Sequence, residues 1–227
     1  MRGLFVTGTD TGVGKSVLAA AIIAALRARG TAVRALKPVI TGLDDPPDPD
    51  WPPDHALLAR AAGCTAEAVM LIGYGPAASP HLAAELAGRP IDPVQLRSAT
   101  RAAASEGEVA IVEGVGGLLV PLSGTYDVRR FALDLGLPLV IAARPGLGTI
   151  NHTLLTLEAA RHAGLAVAGV VLTPWPEHPS EIERSNRETI ARLGEVSVSG
   201  LRAIARGDVG LLASAGGQLP LERWLAR

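Results

Sequence analysis

A glycine-rich run near the amino terminus, which ends in a lysine and a serine, has the residue types of a phosphate-binding site. Gly8 and Gly14 enclose the run, and Lys15 and Ser16 follow it. Glycines let backbone N–H groups close around phosphate oxygens, a lysine can reach the outer phosphates, and a serine hydroxyl can bind Mg2+. An apolar run precedes the loop, and apolar residues at helical spacing follow it in Val17–Arg29. Strand, loop and helix in this order predict a phosphate-binding loop at a helix start.

The spacing within this loop differs from the common form, Gly-x-x-x-x-Gly-Lys. Five residues, Thr9–Val13, separate Gly8 from Gly14. The alternative interpretation is a glycine turn with a surface lysine, which does not explain why all the glycines, the lysine and the serine fall in the right context at once. The residues expected to contact the nucleotide are Gly12, Val13, Gly14, Lys15, Ser16 and Val17.

Lysine is rare in this sequence, and its two positions are therefore informative. Of the 21 Lys and Arg residues, 19 are arginines, and only Lys15 and Lys37 are lysines. A chain that uses arginine wherever either cation would serve keeps lysine where a compact ammonium is needed and a planar guanidinium would not fit. Lys15 already belongs to the phosphate loop, so we expect Lys37 to be catalytic as well. The alternative is that Lys37 merely ends a strand ahead of Pro38.

Composition excludes several classes of protein. The net charge of −1 gives no indication of nucleic acid or an anionic membrane as a partner. The longest apolar run, Val17–Leu26, is too short to span a bilayer. No signal-peptide layout precedes the first strand, so we expect a cytoplasmic protein. The single cysteine, Cys64, excludes an internal disulfide and a cysteine cluster for zinc.

The order of apolar runs predicts one α/β domain over residues 1–227, with a mostly parallel, doubly wound sheet between two layers of helices. Ligands bind at the carboxyl ends of the strands in such sheets. The predicted strands are Arg2–Thr7, Ala32–Lys37, Val109–Val112, Pro138–Ala142, Ala166–Leu172 and Val196–Val198, and a short strand or turn is predicted around Val69–Ile72. The predicted helices are Lys15–Arg29, one opened by Asp54, His81–Ala87, Asp92–Ala104, Asp127–Leu135, Thr149–Ala163, Ser180–Leu193 and Leu219–Ala226. Gly42–Pro53 is rich in Asp and Pro and is predicted to be an exposed loop.

Several polar residues are predicted to meet at the carboxyl edge of this sheet. Glu113 follows four apolar strand residues, where a carboxylate can hold Mg2+, and the glycines of Gly114–Gly117 let N–H groups face an anion. Asp54 is either a third metal ligand or simply a helix N-cap. Thr41 is either a substrate contact or a turn residue. Gly146–Thr153 opens a helix that either binds a carboxylate or is an ordinary capped core helix.

These segments together resemble the dethiobiotin synthetase family. The matching blocks are Val6–Ser16, Lys37–Gly42, Val112–Val120 and Gly148–Thr156. They occur in the family's order and span the first 160 residues or so, whereas the carboxyl-terminal third matches only loosely. The resemblance implies a phosphate-loop NTPase fold and a homodimer.

The resemblance also implies an ATP-dependent ligase that closes a cyclic urea. Its substrate is 7,8-diaminononanoate, which takes up carbon dioxide, supplied as bicarbonate, on one amine to give a carbamate. The γ-phosphoryl group passes to the carbamate oxygen, and the second amine then attacks and releases phosphate. Phosphoryl transfer of this kind depends on positioning and charge stabilisation more than on a covalent nucleophile.

The family's roles carry over to this chain residue by residue. Lys15 and Lys37 would flank the transferring phosphoryl group, and Thr41 would contact the carbamate region. The resemblance assigns Mg2+ to Ser16, Asp54 and Glu113. It assigns further nucleotide contacts to Gly114, Val115 and Gly116, base contacts to Thr173, Pro174 and Ser197, and the substrate carboxylate, across a dimer interface, to Gly148 and Asn151.

Three positions depart from the family pattern, and three alternative interpretations stay open. Gly12 stands where many members carry an acid, which leaves the nucleotide preference open. Ser16 replaces the commoner threonine, and Val115 replaces a usual alanine. A partition-type ATPase switch would place an extra lysine where this chain has Asp10. An amidoligase of the cobyrinate type would need a reactive cysteine, and Cys64 has no nucleophile-elbow context. A non-catalytic nucleotide-binding relative is the third.

Overall fold

A computed structural model describes residues 1–46, 48, 51–204 and 207–226 of the chain. The strands are β1 (Gly3–Gly8), β2 (Val33–Leu36), β3 (Val39–Ile40), β4 (Ile72–Gly73), β5 (Val109–Glu113), β6 (Pro121–Ser123), β7 (Tyr126–Asp127), β8 (Leu139–Ala143), β9 (Val167–Trp175) and β10 (Val198–Arg202). The helices are α1 (Lys15–Ala28), α2 (Asp54–Ala62), α3 (Ala66–Val69), α4 (Pro80–Leu86), α5 (Pro93–Ala104), α6 (Val128–Leu135), α7 (Thr149–His162), α8 (Glu181–Leu193), α9 (Val209–Gly216) and α10 (Leu221–Leu225). The predicted loop Gly42–Pro53 lies partly outside the described residues, at Pro47, Pro49 and Asp50.

The central sheet has six strands in the order β10-β9-β8-β1-β5-β2, and all its pairings are parallel. Every residue of β1, β5 and β8 is buried, as expected for strands covered on both faces. The register pairs Val6 with Glu113 and Gly8 with Ala142, so these strands end at one edge of the sheet. The predicted three-layer, doubly wound fold is confirmed.

Two apolar layers enclose the sheet. The helices α1, α2 and α9 pack on one face, and α5, α6, α7 and α8 pack on the other. Contact between α1 and α9 is very close, because a Cβ on Gly216 would lie 2.0 Å from the carbonyl oxygen of Ala21. Within the described ranges, no helix has the length and apolar character that crossing a bilayer requires.

Some elements in the poorly patterned parts of the chain differ from the prediction. Around Val69–Ile72, where a short strand or turn was predicted, Val69 ends the short helix α3 and Ile72 begins the short strand β4. The last strand is β10, Val198–Arg202, and not Val196–Val198. Ser199 and Gly200 interrupt the apolar pattern, but their backbone still pairs with β9, so the strand continues beyond the predicted end. The hairpin β6–β7 and the helix α9 were not predicted.

Candidate active site

The phosphate loop connects the end of β1 to the start of α1. Gly12 and Gly14 adopt left-handed backbone conformations, with φ of 69° and 89°. A Cβ on Gly14 would also lie 2.7 Å from Cγ2 of Thr173, a separation that real contacts do not show, so only glycine fits there. The loop therefore ends at the N-cap of α1, and the N–H groups in the first turn of α1 are available to bind an anion.

Lys15 lies across this loop. Its ammonium donates to the carbonyl oxygen of Asp10 at 2.8 Å, and the residue is only 7% exposed. Burial lowers the pKa of Lys15, and the nearby Lys37 lowers it further, against an opposing effect of Glu113. Among the described residues Lys15 forms no ion pair, so its charge is held by a loop carbonyl and is available to phosphate oxygens.

Lys37, which follows β2, is held quite differently. Its ammonium donates to Oε1 of Glu113 at 2.7 Å and also to the carboxylate of Asp54. Lys37 is 4% exposed. Burial acts to lower its pKa, but Glu113 and Asp54 more than offset burial, and the pKa of Lys37 is raised. The ammonium therefore stays charged and joins the ends of β2 and β5 to the start of α2.

The carboxylates beside Lys37 also contact the phosphate loop. The hydroxyl of Ser16 donates to Oε1 of Glu113 at 2.7 Å. Burial raises the pKa of Glu113, with Lys37 opposing and Asp54 adding to the rise. The pKa of Asp54 is lowered, since its attraction to Lys37 outweighs the effect of burial. Asp54 is the first residue of α2, after the N-cap Pro53, and its side chain bonds to Lys37 and makes no cap bond, so the N-cap alternative for Asp54 is wrong.

This cluster has the donors that a magnesium ion needs. Ser16, Asp54 and Glu113 offer a hydroxyl and two carboxylates, and Mg2+ prefers such oxygen ligands. Oε2 of Glu113 is buried and has no hydrogen-bond partner among the described residues, which fits an oxygen that serves a cation. Within those residues no group of three His, Cys, Asp or Glu side chains could hold a metal alone. Water and phosphate oxygens would therefore supply the remaining ligands.

A cavity of about 730 Å³ opens over this cluster, between the phosphate loop and the segment that follows β3. Its size suits a small ligand next to the outer phosphates of a nucleotide. The predicted site residues that line it are Gly12, Gly14, Lys15, Ser16, Val17, Lys37, Thr41, Asp54, Val115 and Gly116. Gly114 does not line the cavity. A Cβ built on it would lie 3.0 Å from Cε1 of Phe5, so the residue packs against the core. Val13 is buried in the core, so only its backbone could serve the loop.

The two predicted carboxylate-binding residues lie elsewhere. Gly148 is the N-cap of α7 and Asn151 is exposed in its first turn. Neither lines the cavity over Lys37. The same helix borders a second hollow of about 440 Å³, which it shares with Thr9, Asp10 and Gly117–Pro121. Within one chain the structure therefore does not bring Gly148 and Asn151 to Lys37.

The predicted base contacts divide into two groups. Thr173 is buried next to Gly14 and Pro174 follows it through a cis peptide bond, so both lie near the carboxyl end of β9 at the phosphate-loop edge. Ser197 precedes β10, and its carbonyl accepts a hydrogen bond from Val170 at the amino-terminal half of β9. The register aligns Val198 with Val170 and, through Ile141, with Thr7 near the end of β1. The base contact of Ser197 therefore stays a prediction.

Some lining residues were not predicted from the sequence. Trp51 lines the cavity and packs against the apolar core, and Ala77–Pro80 forms another wall. That wall is joined to the Lys37 segment by the N–H of Gly42, which donates to the carbonyl of Pro76 at 3.0 Å. A lone tryptophan in a Pro- and Asp-rich stretch was the one available signal for this part of the site.

Comparison with known proteins places the chain among related sequences. A family model described as an AAA domain matches residues 2–201. The ATP-dependent dethiobiotin synthetase BioD of Mycobacterium avium (strain 104) is 42% identical over 217 residues, which cover 95% of this chain and 91% of that protein. The protein of the same name from Anaeromyxobacter sp. (strain K) is 42% identical over 204 residues, which cover 85% and 90%.

Solved structures with the same fold are more distant in sequence. The cell division ATPase MinD of Pyrococcus furiosus aligns with a TM-score of 0.53 at 17% identity, covering 95% of this chain and 98% of that one. McdA from Cyanothece aligns with a TM-score of 0.56 at 12% identity, covering 100% and 97%. At these identities the likeness concerns the fold alone, whereas the sequence relatives match most of the chain at more than twice that identity. By those relatives, the chain belongs to the ATP-dependent dethiobiotin synthetase family.

Proposed function

We propose that this protein is an ATP-dependent cyclo-ligase that converts 7,8-diaminononanoate and carbon dioxide to dethiobiotin. The observation that carries the proposal is the meeting of two buried ammonium groups, Lys15 and Lys37, at one cavity beside a hydroxyl–carboxylate cluster. That arrangement can stabilise the negative charge of a transferring phosphoryl group. Membership of the synthetase family supports the same activity.

The reaction divides between the two ammonium groups. One amine of the substrate adds to carbon dioxide and loses a proton, which gives a carbamate. A carbamate oxygen then attacks the γ-phosphorus of ATP, and the bond from phosphorus to the bridging oxygen breaks to release ADP. The second amine attacks the carbonyl carbon of this mixed anhydride and expels phosphate, which closes the ureido ring. Lys15 would hold the phosphates, and Lys37 would hold the carbamate oxygens at the cavity floor.

Ser16, Asp54 and Glu113 would hold Mg2+, which when bound neutralises charge on the phosphates. Thr41, on the cavity wall, would contact the carbamate region. Thr173 and Pro174 lie at the phosphate-loop edge, where they would contact the base. The nucleotide would lie along the loop from Gly12 to Val17, with its phosphates at the start of α1.

We propose that a second copy of the chain completes the substrate site. Gly148 and Asn151 do not line the cavity over Lys37, but they lie on a face with the exposed side chains of Leu119 and Leu155, 58% and 57% exposed. Pairing two chains over this face would cover the leucines and could place the α7 start of one chain beside the cavity of the other. We also place the enzyme in the cytoplasm, where its small substrates would be found.

The direct test combines the protein with ATP, Mg2+, bicarbonate and the diamine, and measures phosphate and dethiobiotin. We expect equal amounts of both. A nonanoate that carries one amine is the matched control, since it can form a carbamate but cannot close a ring. Phosphate release that is the same with and without the diamine would contradict the ligase and favour the ATPase switch, although Asp10 occupies the position of that class's extra lysine.

Subunit mixing tests the shared site. Lys37→Arg and Asn151→Ala should each be inactive alone. If one chain supplies Lys37 and its partner Asn151, mixed dimers contain one intact site, and random mixing should restore about a quarter of the wild-type rate. No recovery in a mixture shown to contain mixed dimers would mean that each chain builds its site alone.

A further inference from the structure

Arg144 lies beside the phosphate loop, on the side away from Lys37. It follows Ala143, the last residue of β8, and β8 pairs with β1 such that Ala142 lies opposite Gly8. The guanidinium donates from Nη2 to the carbonyl oxygen of Gly12 at 3.4 Å. A cation that follows one strand thus reaches over the loop that follows the neighbouring strand.

The charge of Arg144 has no counter-charge nearby. Within residues 1–46, 48, 51–204 and 207–226, no carboxylate lies within ion-pair distance of its guanidinium, and its side chain is exposed. A single long hydrogen bond from an exposed arginine contributes little to stability. A contribution to stability therefore does not explain why Arg144 lies beside the phosphate loop.

The loop that carries Arg144 is fixed from behind by a buried amide. Asn186 lies on α8 and is 7% exposed. Its Nδ2 donates to the carbonyl oxygens of Pro145 and Gly146 at 3.0 and 3.2 Å. A buried amide with both bonds made holds the backbone next to Arg144 in one conformation. The guanidinium is consequently presented from a defined position.

Gly12 is compatible with this arrangement because it has no side chain. Its φ of 69° favours glycine, and a Cβ built there would lie 3.4 Å from Nη2 of Arg144. A larger side chain would compete with the guanidinium for the same space. Position 12 therefore carries no side chain, and a cation that follows the neighbouring strand lies over it.

We propose that Arg144 binds the phosphate chain of the nucleotide and that Asn186 is the positioning residue that presents it. The assignment rests on the nucleotide-binding part of the proposed function and does not require the ligase step. Arginine suits this role because its planar fork can donate two parallel hydrogen bonds to a phosphate. The phosphates would then be bound on one side by Lys15 and on the other by Arg144.

The test is nucleotide affinity without the diamine, measured by calorimetry for ATP and ADP with Mg2+. Arg144→Ala should raise both Kd values about tenfold, the size expected for loss of a charge-assisted bond. Arg144→Lys should recover part of this loss, because it keeps the charge and loses the fork. Arg192→Ala is the matched control, since Arg192 is an exposed arginine of α8, and it should bind as wild type does. Unchanged ATP and ADP affinities in Arg144→Ala would overturn the proposal.

Asn186→Asp tests the positioning step, because it keeps the size of the side chain and removes the two donors. We expect a smaller rise in Kd, and no further rise when it is combined with Arg144→Ala, as for residues that act in series. Fully additive effects would overturn the role of Asn186. Thermal unfolding and light scattering show whether each variant is folded and keeps its oligomeric state; if Asn186→Asp does not fold, the Arg144 variants decide the main assignment.

The ligase assay keeps the two proposals separate. Weakened ATP binding in Arg144→Ala, in a protein that makes no dethiobiotin, would uphold Arg144 and refute the ligase. Full dethiobiotin synthesis in wild type with normal nucleotide affinity in Arg144→Ala would uphold the ligase and refute the role of Arg144.

Discussion

The two lysines of this chain are both buried next to one cavity, and they are held in opposite ways. Lys15, 7% exposed, donates to a backbone carbonyl of its own loop, and its pKa is lowered by burial. Lys37, 4% exposed, donates to Glu113 and Asp54, whose attraction raises its pKa against the effect of burial. The fold therefore leaves one ammonium available for an arriving anion and uses the other as a counter-charge for its own carboxylates.

The largest expected effect comes from exchanging Lys37 for arginine. Lys37→Arg keeps the charge but places a larger, planar group between Glu113 and Asp54, so we expect kcat to fall about a thousandfold. Nucleotide affinity, which depends on the phosphate loop, should stay close to wild type. Lys15→Arg, the matched variant, should weaken ATP binding as well as turnover. Near-normal turnover in Lys37→Arg would show that a guanidinium can replace the ammonium of Lys37.

Removing each charge should affect stability unequally. Lys37→Gln leaves Glu113 and Asp54 facing each other without a cation, and we expect it to lower the free energy of unfolding by about 3 kcal/mol, the low end for broken buried pairs because Asp54 is partly exposed. Lys15→Gln removes a charge that burial disfavours and should change it by less than about 1 kcal/mol. Urea unfolding of both variants measures the difference. Equal losses would show that Lys37 is no counter-charge.

Glu113→Gln tests the carboxylate that pairs with Lys37. The variant loses a negative charge that Lys37 and Ser16 both contact. We expect the Mg2+ concentration that gives half-maximal turnover to rise about 10- to 100-fold. Titration of Mg2+ at saturating ATP measures the shift. An unchanged magnesium requirement would remove Glu113 from the metal site.

The smallest effect is a difference in titration, and the composition makes it easy to observe. With only two lysines in the chain, lysine labelled with 13C at Cε gives two NMR signals. Lys15 should lose its proton below pH 10.5 and Lys37 above it. By linkage, the contribution of Lys37 to the free energy of unfolding is complete below pH 10.5 and is lost as pH rises through its higher folded pKa. Lys15 has the opposite effect: its charge lowers the free energy of unfolding, and this loss disappears as pH rises through its lowered folded pKa. The reverse order of the two signals would contradict the structure.

The parts of the site that could be predicted are those set by local pattern or by parallel topology. The phosphate loop, Gly8 to Ser16, could be recognised from a pattern of nine consecutive residues. The position of Glu113 near this loop could be predicted because the carboxyl ends of parallel strands lie at one edge of the sheet. The contact of Arg144 with Gly12 spans 132 positions and has no local pattern. The last strand was predicted two residues too early, because its apolar pattern begins at Val196 whereas its pairing with β9 begins at Val198.

Gly216 has a consequence for where this chain can be shortened. The family model ends at residue 201, before α9, which would suggest that the segment after it is dispensable for the fold. Yet α9 rests backbone to backbone on Ala21, in the middle of the helix that begins at Lys15. A chain that ended at residue 201 would expose the alanine-rich side of that helix to solvent. We expect this loss of packing to destabilise the helix that supports the phosphate loop.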